Sequence, residues 1–371
     1  MDLCGLSCRS YYPAGRGFLL AYNRHGVEKM KNIRFAVVGL GNIGRRLLEL
    51  ITIQRELLAG GYGLSFWAVG AADSTGAALD SDGLDMPTIV DLKQAGQGIA
   101  GYPTAGRPGM SATQLLARCD MDLLVEVSPT NLKTGEPGLS CIRATLKRGV
   151  PVVTANKGPL VLAYRELVGL AKENGATMLF SGTVAGALPV VNIGTRDLNA
   201  CSVERVEGIF NSTTNYILCR MEDEGLSFRE ALAGAQEAGI AERDPTLDID
   251  GWDAANKLVI VANSVLNRPT RLQDLEVTGI RDISRDDLVK ARGEGKAIKL
   301  LATAVRRGGD FELGVRPTAL PRSHPLAGLR LWDMGVIYHT DTMGTLTAII
   351  EEQGAMPTAA AVLRDMINAF R

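Results

Sequence analysis

Histidine is scarce in this 371-residue sequence, and no two cysteines have the CxxC spacing. There are three histidines and six cysteines, and the cysteines are scattered over positions 4, 8, 119, 141, 201 and 219. Zinc sites and disulfide frameworks need clustered cysteines, or cysteines combined with histidines. We therefore expect reduced thiols, and neither a zinc site nor a disulfide scaffold.

The sequence also lacks long apolar runs and an excess of one charge. A membrane-spanning helix needs about 18 or more consecutive apolar residues, and no such run is present. The chain has 40 Lys and Arg against 41 Asp and Glu, a formal net charge of −1, whereas nucleic acids and anionic membranes attract basic surfaces. These absences predict a cytoplasmic protein that binds small molecules or a second copy of itself.

The length of the chain and its 46% apolar and 22% charged residues are typical of a globular protein with two cores. Residues 1–30 are basic and loosely resemble a transit peptide, but the apolar run GFLLAY is too short for a signal helix. We expect residues 1–30 to be a disordered extension, or to be included only because the translation start was assigned too early.

The segment RFAVVGLGNIGRRLLELI, residues 34–51, predicts a strand, a glycine-rich turn and an amphipathic helix. Gly39, Gly41 and Gly44 have the GxGxxG spacing that lets a backbone turn tightly, approach a pyrophosphate and pack helix on strand. The free amides at the start of such a helix bind the anion. This order of elements favours dinucleotide binding over an ordinary tight turn.

A second strand, LSFWAVGAADS, ends at Asp73, which is placed to accept a hydrogen bond from a ribose hydroxyl and so favours NAD. Arg45 and Arg46 would favour the 2′-phosphate of NADP, although arginines early in a surface helix are usually solvated. The sequence therefore leaves the choice between NAD and NADP open.

Two more apolar runs, DLLVEVSPTN and VPVVTANKGPL, flank the helix SCIRATLKRG and complete a βαβ pattern. Ligands of open parallel sheets bind at the carboxyl ends of the strands. We expect five polar side chains to face the cofactor crevice there, namely Ser128, Thr130, Asn131, Asn156 and Lys157.

The second half of the chain has the mixed pattern of an α+β unit, and it contains the acidic loop IAERDPTLDIDG before an apolar helix. Asp253 and Lys257 of this helix are four residues apart and share one face. Apolar residues surround Lys257, so we expect its ammonium group to point inward and not to form a surface ion pair. Burial lowers the pKa of a lysine and a neighbouring carboxylate raises it, which makes Lys257 a candidate acid/base group.

Several carboxylates in one loop require a compensating cation if they are buried together. The interpretation that we favour is a clamp for a substrate ammonium group, formed by the loop acids Glu242, Asp244, Asp248 and Asp250. The alternative is a divalent cation held by Asp244, Asp248 and Asp250, but the loop lacks the glycine position and terminal glutamate of an EF-hand.

The motif AQEAGIAERDPTLDIDGWDAANK, residues 235–257, resembles the signature of the homoserine dehydrogenase family. The resemblance also includes GLGNIG, VVTANKGPL, NSTTNYIL, HPLAGLRLWDMGVIYHT and PTAAAVLRDMI, so it covers about residues 31–371. It implies NAD(P)-dependent interconversion of L-homoserine and L-aspartate 4-semialdehyde in the biosynthesis of threonine, methionine and isoleucine.

The resemblance also implies roles for individual residues. Lys257 would donate the proton to the aldehyde oxygen, Asp253 would orient it, and Lys157 would act where cofactor and substrate meet. Substrate would contact Glu242, Asp248, Thr213 and Lys157. The cofactor would contact Gly39, Gly41, Asn42, Ile43, Gly44, Asp73, Ser128, Lys157 and Gly354.

The domain organisation implied by the resemblance is a Rossmann-type doubly wound domain formed by residues 31–160 and 351–371, with an α+β catalytic and dimerisation domain at 161–350. Segments 178–197 and 318–350 would form a homodimer interface. A chain that ends at Arg371 has no room for a regulatory ACT domain, so feedback inhibition through such a domain is not expected.

Three positions depart from the family pattern. Ser181 replaces a glutamate beside a sodium site built from backbone carbonyls, here those of Val184, Gly186 and Leu188, so we predict no metal. Ser212 replaces a glycine of the NGTTN turn, and the approach to the last helix is shortened around Gly354.

Two other functions remain open from the sequence: an NAD(P)-dependent reductase of another semialdehyde or an imine, and a non-catalytic nucleotide-binding paralogue. A thioester-forming dehydrogenase is disfavoured, because no cysteine has a recognisable activating partner.

Overall fold

A computed structural model describes residues 30–371. The predicted disordered extension therefore lies outside the described residues, apart from Met30. Within residues 30–371, no helix combines the length and apolar character needed to cross a membrane.

A seven-stranded sheet in the order β4-β3-β2-β1-β5-β6-β7 forms the first domain. Strands β2, β1, β5, β6 and β7 are parallel, and the antiparallel strands β3 and β4 extend one edge. The strands are β1 Lys31–Val38, β2 Leu64–Asp73, β3 Gly76–Leu79, β4 Gly106–Pro108, β5 Leu123–Glu126, β6 Val152–Thr154 and β7 Met178–Leu179.

Helices cover both faces of this sheet, as the α/β sequence pattern predicted. Apolar side chains of the sheet pack into two buried clusters, one on each face, so the parallel strands have no solvated side. The helices are α1 Asn42–Ile53, α2 Arg55–Tyr62, α3 Met86–Gln94, α4 Ala112–Arg118, α5 Gly138–Leu146 and α6 Lys157–Glu173.

The predicted boundary at residue 160 does not coincide with the end of the first sheet. It falls inside α6, a crossover helix that leads from β6 to the parallel strand β7 of the same sheet. A parallel neighbour needs such a crossover, so residues 161–179 belong to the nucleotide-binding domain.

A six-stranded sheet in the order β13-β12-β8-β10-β11-β9 forms the second domain. The long hairpin of β10 and β11 and the neighbours β8 and β12 pair antiparallel. The strands are β8 Val203–Ile209, β9 Glu276–Val277, β10 Lys296–Arg307, β11 Asp310–Pro321, β12 Asp333–Thr340 and β13 Thr345–Glu351.

Helices of the second domain pack on one face of this sheet, and the 3-10 turn Pro325–Gly328 packs on the other. The helices are α7 Val190–Asn192, α8 Ser212–Glu224, α9 Phe228–Glu237, α10 Thr246–Ile249, α11 Trp252–Ser264 and α12 Arg285–Gly293.

The last helix, α13 Met356–Asn368, returns to the first domain. Ala359, Val362, Leu363 and Met366 are buried in the same apolar cluster as Leu47 of α1. The first domain is therefore discontinuous in sequence, as the family resemblance implied.

Candidate active site

The glycine-rich turn between β1 and α1 has the geometry of a nucleotide-binding loop. Gly39 has φ +100°, and a side chain there would collide with the backbone of Val127. A side chain at Gly44 would collide with the carbonyl oxygen of Gly39, whereas one at Gly41 would point into open space. The N-cap residue of α1 is Gly41, which has no side chain, and within residues 30–371 its first amides are open to an anion. The turn therefore fits a dinucleotide pyrophosphate beside Asn42 and Ile43.

The structure does not support the assignment of Asp73 to a ribose hydroxyl. The carboxylate of Asp73 accepts hydrogen bonds from Thr75 N at 2.8 Å, Thr75 Oγ1 at 2.6 Å, Lys93 Nζ at 2.6 Å and Ile99 N at 3.1 Å. A carboxylate has about four acceptor positions, so its capacity is filled. Burial raises the pKa of Asp73, but Lys93 and these donors hold it below its usual value.

Two of the polar residues expected at the crevice use their side chains locally. Asn156 Oδ1 accepts from Gly158 N at 3.0 Å and caps α6, and Asn131 Oδ1 accepts from the backbone of its own loop. Ser128 is buried and donates its hydroxyl to Glu126. Ser128 is nevertheless at the carboxyl end of β5, next to the Gly39 turn, where the sequence placed it.

Lys257 is in the first half of α11, and its ammonium group points inward as predicted. Its side chain is 13% exposed, and Nζ lies 2.7 Å from Asp253 Oδ2 in an i,i+4 ion pair. Nζ also donates to the carbonyl oxygen of Phe210 at 2.5 Å. Gly251 has φ +84° at the start of the helix, which allows the acidic loop to turn into α11.

Lys157, the first residue of α6, forms an ion pair with the other oxygen of Asp253, across 96 residues of sequence. One buried carboxylate of the second domain thus joins a lysine from each domain. Burial would raise the pKa of Asp253, but the two lysines hold it far below its usual value. Burial would lower the pKa of Lys157, but Asp253 raises it above its usual value, so Lys157 is protonated at neutral pH.

Asp248 and Asn211 extend this cluster. Asn211 Nδ2 donates to Asp248 Oδ1 at 2.6 Å and to Asp253 Oδ2 at 2.8 Å, so one amide joins the two carboxylates. Burial, followed by the neighbouring charge of Asp253, raises the pKa of Asp248. Thr213 is in the first turn of the helix that Asn211 caps, and the exposed Glu242 acts electrostatically on Lys157.

Two loop acids expected in the clamp lie elsewhere. Asp250 pairs with Arg281, and Asp244 is exposed and accepts from Thr246 N at 3.2 Å. Asp244, Asp248 and Asp250 thus have separate partners, and the four loop acids do not form one joint clamp. Within residues 30–371, no group of three or more histidine, cysteine, aspartate and glutamate side chains is arranged to hold a metal.

Two carboxylates from residues 351–371 accept hydrogen bonds from the segment that contains Ser181 and Ala187. Asp365 of α13 accepts from Ser181 N at 2.7 Å and from Ser181 Oγ at 2.8 Å. Glu352 accepts from Ala187 N at 2.8 Å, within the segment where a carbonyl-lined sodium site was considered. Gly354 is exposed and has φ +73°, which favours glycine at this position.

Comparisons with known proteins agree with this geometry. The sequence model of homoserine dehydrogenase matches residues 189–367, and that of its NAD binding domain matches residues 39–181. The homoserine dehydrogenase of Methanocaldococcus jannaschii is 38% identical over 90% of this chain and 97% of its own. The chain belongs to the homoserine dehydrogenase family.

Other members of the homoserine dehydrogenase family are also similar along most of the chain. The NAD(+)-dependent homoserine dehydrogenase of Pseudomonas canavaninivorans is 34% identical over 91% of this chain and 96% of its own. A crystal structure of a putative homoserine dehydrogenase from Archaeoglobus fulgidus superimposes with a TM-score of 0.82 at 36% identity, over 91% of this chain and 99% of its own.

A hyperthermophilic archaeal homoserine dehydrogenase solved in complex with NADPH has a TM-score of 0.79 at 25% identity, over 91% of this chain and 98% of its own. The named relatives therefore include one described as NAD(+)-dependent and one with bound NADPH. The prediction of NAD or NADP as the cofactor class is confirmed at this level.

Asn211 and the carbonyl group of Phe210 belong to the cluster, although neither was predicted from the sequence. The sequence does contain a signal, since Asn211 begins the NSTTNYIL turn and asparagine is a preferred N-cap residue. What it cannot show is that the same side chain caps α8 and contacts two carboxylates about 40 residues further along the chain.

Proposed function

We propose that the chain catalyses NAD(P)-dependent interconversion of L-homoserine and L-aspartate 4-semialdehyde. The observation that carries this proposal is the buried Lys157–Asp253–Lys257 cluster, which joins the nucleotide-binding domain to the second domain. The named relatives in this family give the substrate class.

The cofactor is proposed to bind along the Gly39–Gly44 turn, at the start of α1 and at the carboxyl end of β5. The amides of Asn42 and Ile43 would hold its pyrophosphate, and Ser128, Lys157 and Gly354 would contact the rest of the molecule. A bound nicotinamide cofactor supplies a hydride in the reductive direction and accepts one in the oxidative direction.

Substrate recognition follows from the charges of the cluster. Asp253 pairs with Lys157 and Lys257, Asp248 acts electrostatically on both lysines, and Glu242 acts on Lys157. These five side chains together carry one negative charge in excess. The ammonium group of homoserine would compensate that charge beside Asp248 and Glu242, with Thr213 at the edge of the site.

Lys257 is proposed to be the catalytic acid and base. An ammonium group has three N–H donors, and two of them bind Asp253 and the carbonyl of Phe210, so one remains for a substrate oxygen. In the reductive direction Lys257 donates this proton to the aldehyde oxygen, and in the oxidative direction it takes the proton back. Asp253 orients Lys257 through their ion pair.

The test is a spectrophotometric assay. Purified protein mixed with L-aspartate 4-semialdehyde should oxidise NADPH or NADH, with loss of the nicotinamide absorbance, and L-homoserine should drive the reverse reaction. A protein that binds the nucleotide but oxidises neither form with this substrate would contradict the proposal.

The proposal also includes a role in threonine, methionine and isoleucine biosynthesis, a homodimer and a cytoplasmic location. The four described cysteines are free, which suits a reducing compartment. Strand β13 is an edge strand with half-exposed apolar residues, among them Ile349 at 50%, which suits an interface through residues 318–350. Light scattering that reports one chain per particle would contradict the homodimer.

A further inference from the structure

The buried Glu126 ends β5, an inner strand of the nucleotide-binding sheet whose other residues are apolar. It is the last residue of β5, it is 0% exposed, and it pairs with Thr154 of β6 on one side and Val38 of β1 on the other. A buried carboxylate is costly unless donors or charges compensate it, so its presence needs a reason.

Four donors from the carboxyl ends of β5 and β6 surround this carboxylate. Glu126 Oε1 accepts from Ser128 N at 3.0 Å, from the hydroxyl of Ser128 and from Asn156 Nδ2 at 3.5 Å. Glu126 Oε2 accepts from Thr154 Oγ1 at 3.2 Å. Thr154 Oγ1 itself accepts from Asn156 N at 3.0 Å, so the hydroxyl proton of Thr154 is left for Glu126.

The starts of two helices also meet at Glu126. A side chain on Gly138, the first residue of α5, would come within 2.9 Å of Glu126 Oε2, so the start of α5 lies against the carboxylate. Asn156, which donates to Glu126, caps α6. The partial positive charge of a helix start stabilises a nearby anion. Burial raises the pKa of Glu126, and the hydrogen bonds from Ser128 oppose that rise.

These contacts form a short path to the proposed active site. Asn156 Nδ2 donates to Glu126 and, at 3.3 Å, to Ser128 Oγ, while Asn156 Oδ1 accepts from Gly158 N. Lys157 lies between these two backbone positions and reaches Asp253 from there. Asn156 therefore links the Glu126 carboxylate to the start of α6, where Lys157 is the first residue.

We propose that Glu126 is a positioning residue that fixes Ser128 and Asn156 and, through the start of α6, places the ammonium group of Lys157 against Asp253. Glu126 touches neither substrate nor cofactor in this role. The proposal rests on the proposed function for its kinetic consequence, but its structural consequence at Lys157 is measurable without any turnover.

Glu126→Gln is the first variant. Glutamine keeps the shape of the glutamate side chain, but its amide group places an N–H donor where a carboxylate oxygen had accepted hydrogen bonds. The readout without turnover is the acylation rate of Lys157 by acetic anhydride, followed by mass spectrometry. We expect Lys157 to react at least about threefold faster in the variant, because a displaced amine loses its ion pair with Asp253. Lys290, an exposed lysine of α12, serves as the internal reference. An unchanged ratio of the two rates in folded protein overturns the proposal.

The kinetic readout is a double-mutant cycle. Glu126→Gln should lower kcat at least about tenfold, but should have little further effect in a Lys157→Ala background, because both changes remove the same interaction. Effects that multiply in the double variant would show that Glu126 does not act through Lys157. Wild-type protein that is inactive on homoserine would remove the proposed function and leave the acylation result to decide the placement of Lys157.

If the Glu126→Gln protein fails to fold, a second variant tests the same proposal. Asn156→Ser keeps an N-cap oxygen for α6 but loses the amide that reaches Glu126. It should raise the acylation rate of Lys157 in the same direction, and a wild-type rate in this variant would overturn the proposal. Thr145→Val removes a buried hydroxyl of α5 that donates to Cys141 O at 2.8 Å, and it is the matched control for general damage to the domain.

Discussion

Among residues 30–371, two acceptors bind the ammonium group of Lys257, and the proposed role of its third N–H sets the expected effect of removing the side chain. Lys257→Ala should lower kcat by about 100-fold or more, while the Kd of NADPH in the absence of substrate should change less than about twofold. Steady-state kinetics and nicotinamide fluorescence measure these two quantities. The matched control is Lys290→Ala, an exposed lysine of α12, and near-normal turnover in Lys257→Ala would show that Lys257 is structural.

We expect the charge of Asp248 to lower the stability of the folded protein and to strengthen the binding of homoserine. Its pKa is raised by burial and by the charge of Asp253, so its ionisation costs folding free energy. Asp248→Asn keeps an acceptor for Asn211 and removes the like charge. At neutral pH the variant should be about 1 kcal/mol more stable to urea, with a KM for homoserine raised at least about tenfold.

The pH dependence of this effect follows from the sign of the shift. A group with a raised folded pKa contributes its stability fully below the unfolded pKa, and that contribution is lost as the pH rises through the folded pKa. The stability difference between wild type and Asp248→Asn should therefore disappear below about pH 3.5. A difference that persists there would assign the effect to packing.

Single residues differ in how well the sequence predicts them. The inward position of Lys257 could be inferred, because one helix carries both the lysine and its apolar surroundings. The ion pair of Lys157 with Asp253 could not, since no local pattern relates residues on separate domains. Asp73 illustrates the opposite case: its position at a strand end is as predicted, but Lys93, Thr75 and Ile99 fill its carboxylate.

The sequence predicted the secondary-structure elements that carry a strong pattern. The strand–turn–helix of β1 and α1 was predicted from its glycine spacing and apolar periodicity. Strands β3, β4 and β7 were not predicted, because they have only four, three and two residues and owe their conformation to pairing with longer strands. The missing β7 explains why the domain boundary was placed about twenty residues too early.

Helix α13 is fastened to the rest of the protein by a buried polar contact. Asp365 is 1% exposed and accepts two hydrogen bonds from Ser181. Asp365→Ala should lower the free energy of unfolding by about 2 to 3 kcal/mol, because it leaves the buried donors of Ser181 without a partner. Urea unfolding measures the change, and Asp282→Ala, at an exposed turn residue, is the matched control. Equal stability of the two variants would contradict this role of Asp365.

At the scale of the whole molecule, two features connect the domains. The chain passes between them twice, after β7 and again between β13 and α13, and Lys157 of one domain pairs with Asp253 of the other. A domain formed from two distant segments cannot fold before both have been arranged. We expect this arrangement to couple the unfolding of the two domains.

We therefore predict a single thermal transition that shifts as a whole when a nucleotide binds. NADPH at about 100 times its Kd should add about 2.7 kcal/mol to the free energy of unfolding, because it binds only the folded state. Differential scanning calorimetry should show one peak that moves upward without splitting. Asp253→Asn supplies the comparison, since it weakens the ion pair with Lys157 that joins the domains and should broaden or divide the peak. A wild-type profile with two peaks, of which only one responds to NADPH, would show that the domains unfold independently and that the lysine cluster does not couple them.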